Sequence, residues 1–229
     1  MTTAKIRVNR MHHPVTALGF GRRLGIWFQG CPLACAGCMS KDTWEPDGGA
    51  AFTVPELAEL WRGAVRKGAD GLTITGGEPL AQPDGLAALL AAASEIRAES
   101  TAPGGPAAGR EIDVLLYTGL TEDEFDPAAV AGADALITGR FEITNPTGLI
   151  WRGSGNQRLL PRTDLGLRRY RPYLEHVPEH PPLQVATDGL DVHLIGVPRQ
   201  GMLPSLERAL RSEGTDVGGA TWRHRRTRD

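Results

Sequence analysis

All three cysteines of this 229-residue chain, Cys31, Cys35 and Cys38, fall in one short stretch with the spacing C-x3-C-x2-C. No cysteine elsewhere is available to complete a disulfide framework or a four-thiolate site. Three soft thiolates held this close together suit an iron–sulfur cluster. A four-iron core has four corners, so three thiolates leave one iron without a protein ligand. An iron left open in this way can bind a substrate or cofactor, which turns an electron carrier into a catalytic centre.

Other readings stay open on these residues alone. The spacing i, i+4, i+7 also marks one face of a helix, and cysteine is common as a small buried hydrophobe. Pro32 and Gly37 interrupt the run, however, and both weaken a helix, so a compact loop accounts for it better. A structural zinc would need a fourth ligand, for which His12 or His13 is available. A disulfide between two of the cysteines, with the third left over, would leave the spacing unexplained.

A second motif narrows the choice. The apolar run ending at Thr73-Ile74-Thr75 delivers Gly76-Gly77-Glu78-Pro79, a tight turn carrying a carboxylate. With both motifs present, the chain resembles the radical S-adenosylmethionine (SAM) enzymes. These pair C-x3-C-x2-C after a first barrel strand with Gly-Gly-Glu-Pro after the second.

Composition adds limits. Apolar residues make up 41%, enough for a sizeable core, and the net charge of -2 provides no general attraction to nucleic acid or to an anionic membrane. No apolar run approaches the length of a bilayer span. The opening Met1-Thr2-Thr3-Ala4-Lys5-Ile6-Arg7 lacks an apolar signal core. The expectation is a cytoplasmic protein with no nucleic-acid or membrane partner, in a compartment that keeps thiols reduced.

Strand-like and helix-like stretches alternate, which predicts an α/β fold with a parallel sheet. Residues 4–9 read as an edge strand and 24–29 as the first core strand, leading into the cysteine loop. Thr53-Val54-Pro55-Glu56 carries a capping-box pattern and opens a helix to about Lys67. Strands follow at 71–75, 113–119 and 134–140, with a helix from Ala81 to about Ala98. The predicted architecture is a partial (β/α) barrel with parallel strands, plus a C-terminal β-hairpin and helix. In such folds the loops leaving the C-terminal ends of the strands build the active site. The expected organisation is a core at 1–160, a connector at 161–182, a hairpin turning at Asp188-Gly189 and a helix within 183–213, and a disordered basic tail at 214–229. Trp151 to Arg158 is dense in glycine and hydrogen-bonding groups, and reads either as a surface turn or as a loop closing over reactants.

Within the radical SAM group the chain is most similar to the activating proteins of glycyl-radical enzymes, those of anaerobic ribonucleotide reductase in particular. Four pieces carry this likeness. They are Gly19-Phe20-Gly21-Arg22-Arg23 with Ile26 to Pro32; Cys35 to Cys38 with Thr43-Trp44 and Gly48-Gly49; Gly76 to Leu80; and Gly139 to Glu142 with Arg152 to Arg158. Met39-Ser40 departs from the aromatic–asparagine pair such activators often carry, and the residues beyond about 180 extend past the compact activator. The resemblance implies a [4Fe-4S] cluster on Cys31, Cys35 and Cys38, with SAM chelated by the fourth iron. Gly37, Cys38 and Met39, together with Gly76, Gly77, Glu78 and Pro79, would border that cofactor. It also implies a flavodoxin or ferredoxin as reductant, a glycyl-radical enzyme subunit as partner, and hydrogen abstraction by a 5′-deoxyadenosyl radical. A radical enzyme acting on a small molecule or peptide, and a non-enzymatic metal-binding module, are the alternatives. No catalytic side chain is assigned.

Overall fold

The computed structural model describes residues 4–187, 191–215, 220 and 221. Its centre is a seven-stranded mixed sheet in the order β3-β1-β2-β4-β5-β6-β7. The four inner strands, β2 (Arg23–Phe28), β4 (Gly71–Gly76), β5 (Asp113–Tyr117) and β6 (Ala135–Thr138), run parallel, and β2 matches β4 residue by residue from Arg23↔Gly71 to Phe28↔Gly76. Three strands at the flanks run antiparallel: β1 (Lys5–Val15), β3 (Ala50–Thr53) and β7 (Arg158–Pro161). The parallel inner strands match the expected α/β partial barrel, while the antiparallel pairing of β1, β3 and β7 at the flanks goes beyond that expectation. β1 differs from its reading as a short edge strand: it is longer, and β3 covers it by pairing along Lys5 to Val8.

Strand alternation sorts side chains to the two faces. Leu24, Ile26 and Phe28 of β2, Leu72 and Ile74 of β4, and Val114 and Leu116 of β5 join one apolar core. That core is closed by α1 (Val54–Arg66) and α2 (Pro83–Thr101), which contribute Leu57, Trp61, Leu86, Leu89 and Leu90. The helix start at Thr53 is as the sequence predicts: its hydroxyl accepts from the Glu56 amide while the Glu56 carboxylate accepts from the Thr53 amide.

The opposite, concave face is partly polar. At the N-terminal ends of the strands, Arg23 and Asp113 are fully buried and paired at 3.0 Å, with Arg23 Nε also donating to Thr73 Oγ1 at 2.6 Å. The Tyr170 hydroxyl donates to Asp113 at 2.6 Å, and Arg169 pairs with the same carboxylate. Burial would raise the pKa of Asp113, but the Arg23 guanidinium and its hydrogen bonds outweigh this and hold it below the ordinary carboxylate range. This network closes the bottom of the half-barrel, away from the strand ends where loops converge.

The stretch 161–182, read as a connector, carries α3 (Asp164–Tyr170). The Thr163 hydroxyl caps it by accepting from the Gly166 amide, and Tyr170 is buried. Beyond it lie the antiparallel pair β8 (Leu183–Thr187) and β9 (Val192–Gly196), then α4 (Met202–Ser212). Ile195 is buried with Val15, Ala17, Leu18 and Trp27, and Gln184 accepts from the Thr16 amide and donates to the Pro14 carbonyl. The predicted turn at Asp188-Gly189 and most of the basic tail lie outside the described residues.

Candidate functional site

The cysteine loop leaves the C-terminal end of β2. It is no helix: Gly30, Ala34 and Gly37 all take left-handed backbone, with φ of 92°, 47° and 77°. Its two arms are tied together, with Gly30 N donating to Thr43 O at 2.7 Å and Cys31 N to Trp44 O at 3.1 Å. Gln29 is buried beneath, donating from Nε2 to the Asp42 and Glu45 carbonyls and accepting from Asn9. The loop is therefore shaped by its own backbone and by Gln29, a residue to which the sequence reading gave no role.

Cys31, Cys35 and Cys38 are free, half-buried thiols. The Ser40 amide donates to Cys38 Sγ at 3.4 Å. Burial pushes the Cys31 and Cys38 thiols up, neighbouring thiols add to this, and nearby amides oppose it. Among the described residues no three His, Cys, Asp or Glu side chains are arranged around a single ion. A single zinc needs ligands converging on one point, whereas a cluster takes each thiolate on a different iron. His12 packs its ring edge-on to Trp27 and lies 4.6 Å from the His193 ring between centroids. A half-exposed trio of thiols on a loop with left-handed turns fits a cluster better than a zinc site.

The Gly76-Gly77-Glu78-Pro79 turn follows β4 and packs directly on this loop. Gly77 N donates to Phe28 O at 2.8 Å, and Glu78 N donates to Gly30 O at 2.9 Å. A Cβ on Gly77 would sit 2.3 Å from Gly30 O, and one on Gly76, where φ is 105°, would sit 2.5 Å from Phe28 N. Both glycines are required because backbone meets backbone here.

Glu78 is buried. Its Oε1 accepts from the Leu80 amide at 3.0 Å and from Thr118 Oγ1 at 2.8 Å, and its Oε2 accepts from the Gly119 amide at 2.8 Å. Burial raises its pKa, and these three donors oppose the rise. A carboxylate has about four acceptor sites, so one stays open. Thr118 and Gly119 were legible only as small polar residues at the end of the third parallel strand. Their function here is to hold Glu78.

A cavity of about 1830 Å³ opens in front of these loops. Gly37, Cys38, Met39 and Gly76 line it, whereas Cys31, Cys35, Gly77, Glu78 and Pro79 do not. The strand ends supply Trp27, Thr75 and Tyr117, and the wall includes Ile143, Arg152 and Gln157. The Trp151–Arg158 stretch is largely satisfied within its surroundings: Gln157 bonds the Gly153 amide and Gly139 carbonyl, and Arg152 donates to the Tyr173 and Leu174 carbonyls. It is a built wall of the cavity rather than a free surface turn. The rest of the wall, from β8, β9 and α4, joins residues too far apart in sequence for local patterns to connect.

Comparison with known proteins agrees with this geometry. A family model described as a 4Fe-4S single cluster domain matches residues 17–160. An anaerobic ribonucleoside-triphosphate reductase-activating protein of Enterobacteria phage T4 is 33% identical over 147 residues, covering 64% of this chain and 88% of the relative. The protein of the same description from Pasteurella multocida is 32% identical over 147 residues, covering 61% and 87%. A pyruvate formate-lyase-activating enzyme from Clostridium pasteurianum is 34% identical over 85 residues, covering 34% and 36%.

Proposed function

This chain belongs to the 4Fe-4S single cluster domain family and, within it, to the radical SAM activating proteins; from that premise we propose that it generates a radical by reductive cleavage of SAM and passes it to a glycine of a partner protein. When bound, the cluster on Cys31, Cys35 and Cys38 together with SAM would supply one-electron reductive cleavage of the sulfonium, with a flavodoxin or ferredoxin as the electron source, and so the means of abstracting a hydrogen atom. The chain supplies placement and exclusion of water.

In this reading Cys31, Cys35 and Cys38 each hold one iron. Gly37 and Met39 border the cofactor beside Cys38. Gly76 and Gly77 permit close backbone approach, Pro79 fixes the turn, and the open acceptor site of Glu78 meets the ammonium of SAM. The core is 1–160, the stretch 161–182 with α3 links it to 183–213, and 214–229 is the tail. The protein works in the reducing cytoplasm. No helix among the described residues is long and apolar enough to cross a membrane.

The observation that carries the proposal is the direct bonding of the two motifs, Glu78 N to Gly30 O. It puts the carboxylate turn against the base of the thiolate loop. The test is anaerobic reconstitution with iron and sulfide, reduction with dithionite in the presence of SAM, and assay for 5′-deoxyadenosine. Product from the wild type and none from Cys31→Ala, Cys35→Ala or Cys38→Ala is expected. Normal product from any of these variants would overturn the ligand assignment.

A further inference from the structure

The peptide group between Met39 and Ser40 is gripped at both ends. Its N–H, on Ser40, donates to Cys38 Sγ at 3.4 Å. Its C=O, on Met39, accepts from Thr221 Oγ1 at 3.0 Å. Thr221 stands 182 residues further along the chain and outside the stretch 17–160 that the family model matches. We infer that Thr221 is a positioning residue for the thiolate site: by holding the Met39 carbonyl it keeps the Ser40 amide on the Cys38 sulfur, and so raises the reduction potential of a cluster bound there. The inference rests on the reading of Cys31, Cys35 and Cys38 as cluster ligands.

Peptide planarity carries the argument. In a trans peptide the C=O and N–H lie in one plane and point opposite ways. Turning that plane moves both together, so fixing the direction of the oxygen fixes the direction of the hydrogen. Among the described residues no donor other than Thr221 reaches the Met39 carbonyl. The backbone on either side is held separately. Cys38 N donates to Cys35 O at 3.1 Å, while Ser40 O accepts from Thr43 N at 3.0 Å and from Thr43 Oγ1 at 2.7 Å. The Met39–Ser40 plane is the unit left between these two fixed points, and Thr221 sets its angle. Ala220 and Thr221 line the same cavity as Gly37, Cys38 and Met39, so the bond is made at the site itself.

The sign of the effect follows from charge. Reduction adds an electron to a cluster that already carries three thiolates. An N–H aimed at a ligand sulfur stabilises the more negative state and raises the potential, and so does exposure of the cluster to water. These two terms separate the possible roles of Thr221. Were it only a cover over the cavity, its loss would admit water and move the potential up. Because it holds the Met39 carbonyl, its loss lets the Ser40 amide turn off the sulfur and moves the potential down.

The test is an anaerobic redox titration of the reconstituted full-length protein, without SAM, following the reduced-cluster signal by electron paramagnetic resonance. Thr221→Val keeps the shape of the side chain and removes the hydroxyl, whereas Thr221→Ser keeps the hydroxyl. Thr221→Val should lower the ratio of reduced to oxidised cluster at a fixed potential by about two- to fivefold, the range of one net hydrogen bond. For a one-electron couple that is a shift of roughly 20–40 mV to more negative potential. Thr221→Ser should titrate with the wild type. Hydrogen-exchange mass spectrometry of the same proteins is the second measurement: the peptide carrying Ser40 should exchange faster in Thr221→Val than in the wild type or Thr221→Ser. Thr221 is exposed, so all three should share one melting temperature. A potential that is unchanged or raised in Thr221→Val, or equal exchange at Ser40, would overturn the inference. A wild type that takes up no cluster would overturn the ligand reading and this inference with it, whereas clusters of identical potential in all three proteins would overturn this inference alone.

Discussion

The backbone amide of Glu78 donates to the carbonyl of Gly30 across 2.9 Å. Gly30 is the residue immediately before the first cysteine, and Glu78 is the charged residue of the turn after the next parallel strand. The parallel register that pairs Phe28 with Gly76 brings these two loop starts side by side. One hydrogen bond thus couples the thiolate loop to a buried carboxylate, which is in turn fixed by Thr118 and Gly119 at the end of a third strand.

Gly77→Ala should damage this coupling. Its Cβ would come within 2.3 Å of the Gly30 carbonyl oxygen, a backbone atom that cannot swing aside. Overpacking of this kind costs about 1–3 kcal/mol. We expect a lower melting temperature and iron incorporation well below that of the wild type. Gly63→Ala within α1 is the control: its Cβ would meet only the Arg66 guanidinium, at 3.8 Å, so iron content should match the wild type. Full iron loading in Gly77→Ala would show that the loops are not coupled as described.

Glu78→Gln should change the dependence of stability on pH. Burial raises the pKa of Glu78 despite its three donors, so the folded state holds the proton more tightly than the unfolded one. That contribution is fully present below the unfolded pKa of about 4.3 and is lost as pH rises through the folded value. The neutral amide has no such slope. Melting of the metal-free chain between pH 4.5 and 8 should therefore show the wild type losing stability relative to Glu78→Gln as pH rises. Parallel curves would contradict this.

Asp113→Asn should leave the buried Arg23 charge without its carboxylate, at a cost of about 3–5 kcal/mol. The double variant Arg23→Met with Asp113→Leu should recover much of that loss, because it removes both buried charges together. The urea midpoint is the measurement. A double variant as unstable as Asp113→Asn would mean that Tyr170 and Arg169 depend on the carboxylate more than Arg23 does.

Much of the fold was legible because its signals are local. The capping box at Thr53 and Glu56, the apolar strands entering each loop, and the cysteine spacing all lie within a few neighbouring residues. β1 was harder: its burial depends on pairing with Ala50–Thr53, a strand too short to show alternation. Glu78 was legible as a site residue, but its partners Thr118 and Gly119 were not, since they meet it only through the sheet. The outer wall of the cavity was hidden for the same reason, with Gln184 reaching Pro14 across nearly the whole described chain. α3 lay in a proline-rich stretch whose prolines masked the Thr163 cap and the buried Tyr170.

The most direct test of the central claim is electron paramagnetic resonance of the anaerobically reconstituted, dithionite-reduced protein, recorded with and without SAM. In the proposed reading, three thiolates leave one iron open to SAM, and Glu78, in the turn bonded to the base of the thiolate loop, offsets the cofactor's ammonium charge. Addition of SAM should therefore shift the g-values of a reduced [4Fe-4S] signal in the wild type, and Glu78→Ala should require far more SAM for the same shift. A signal that SAM leaves unchanged, or a protein that takes up zinc and no iron, would contradict the account.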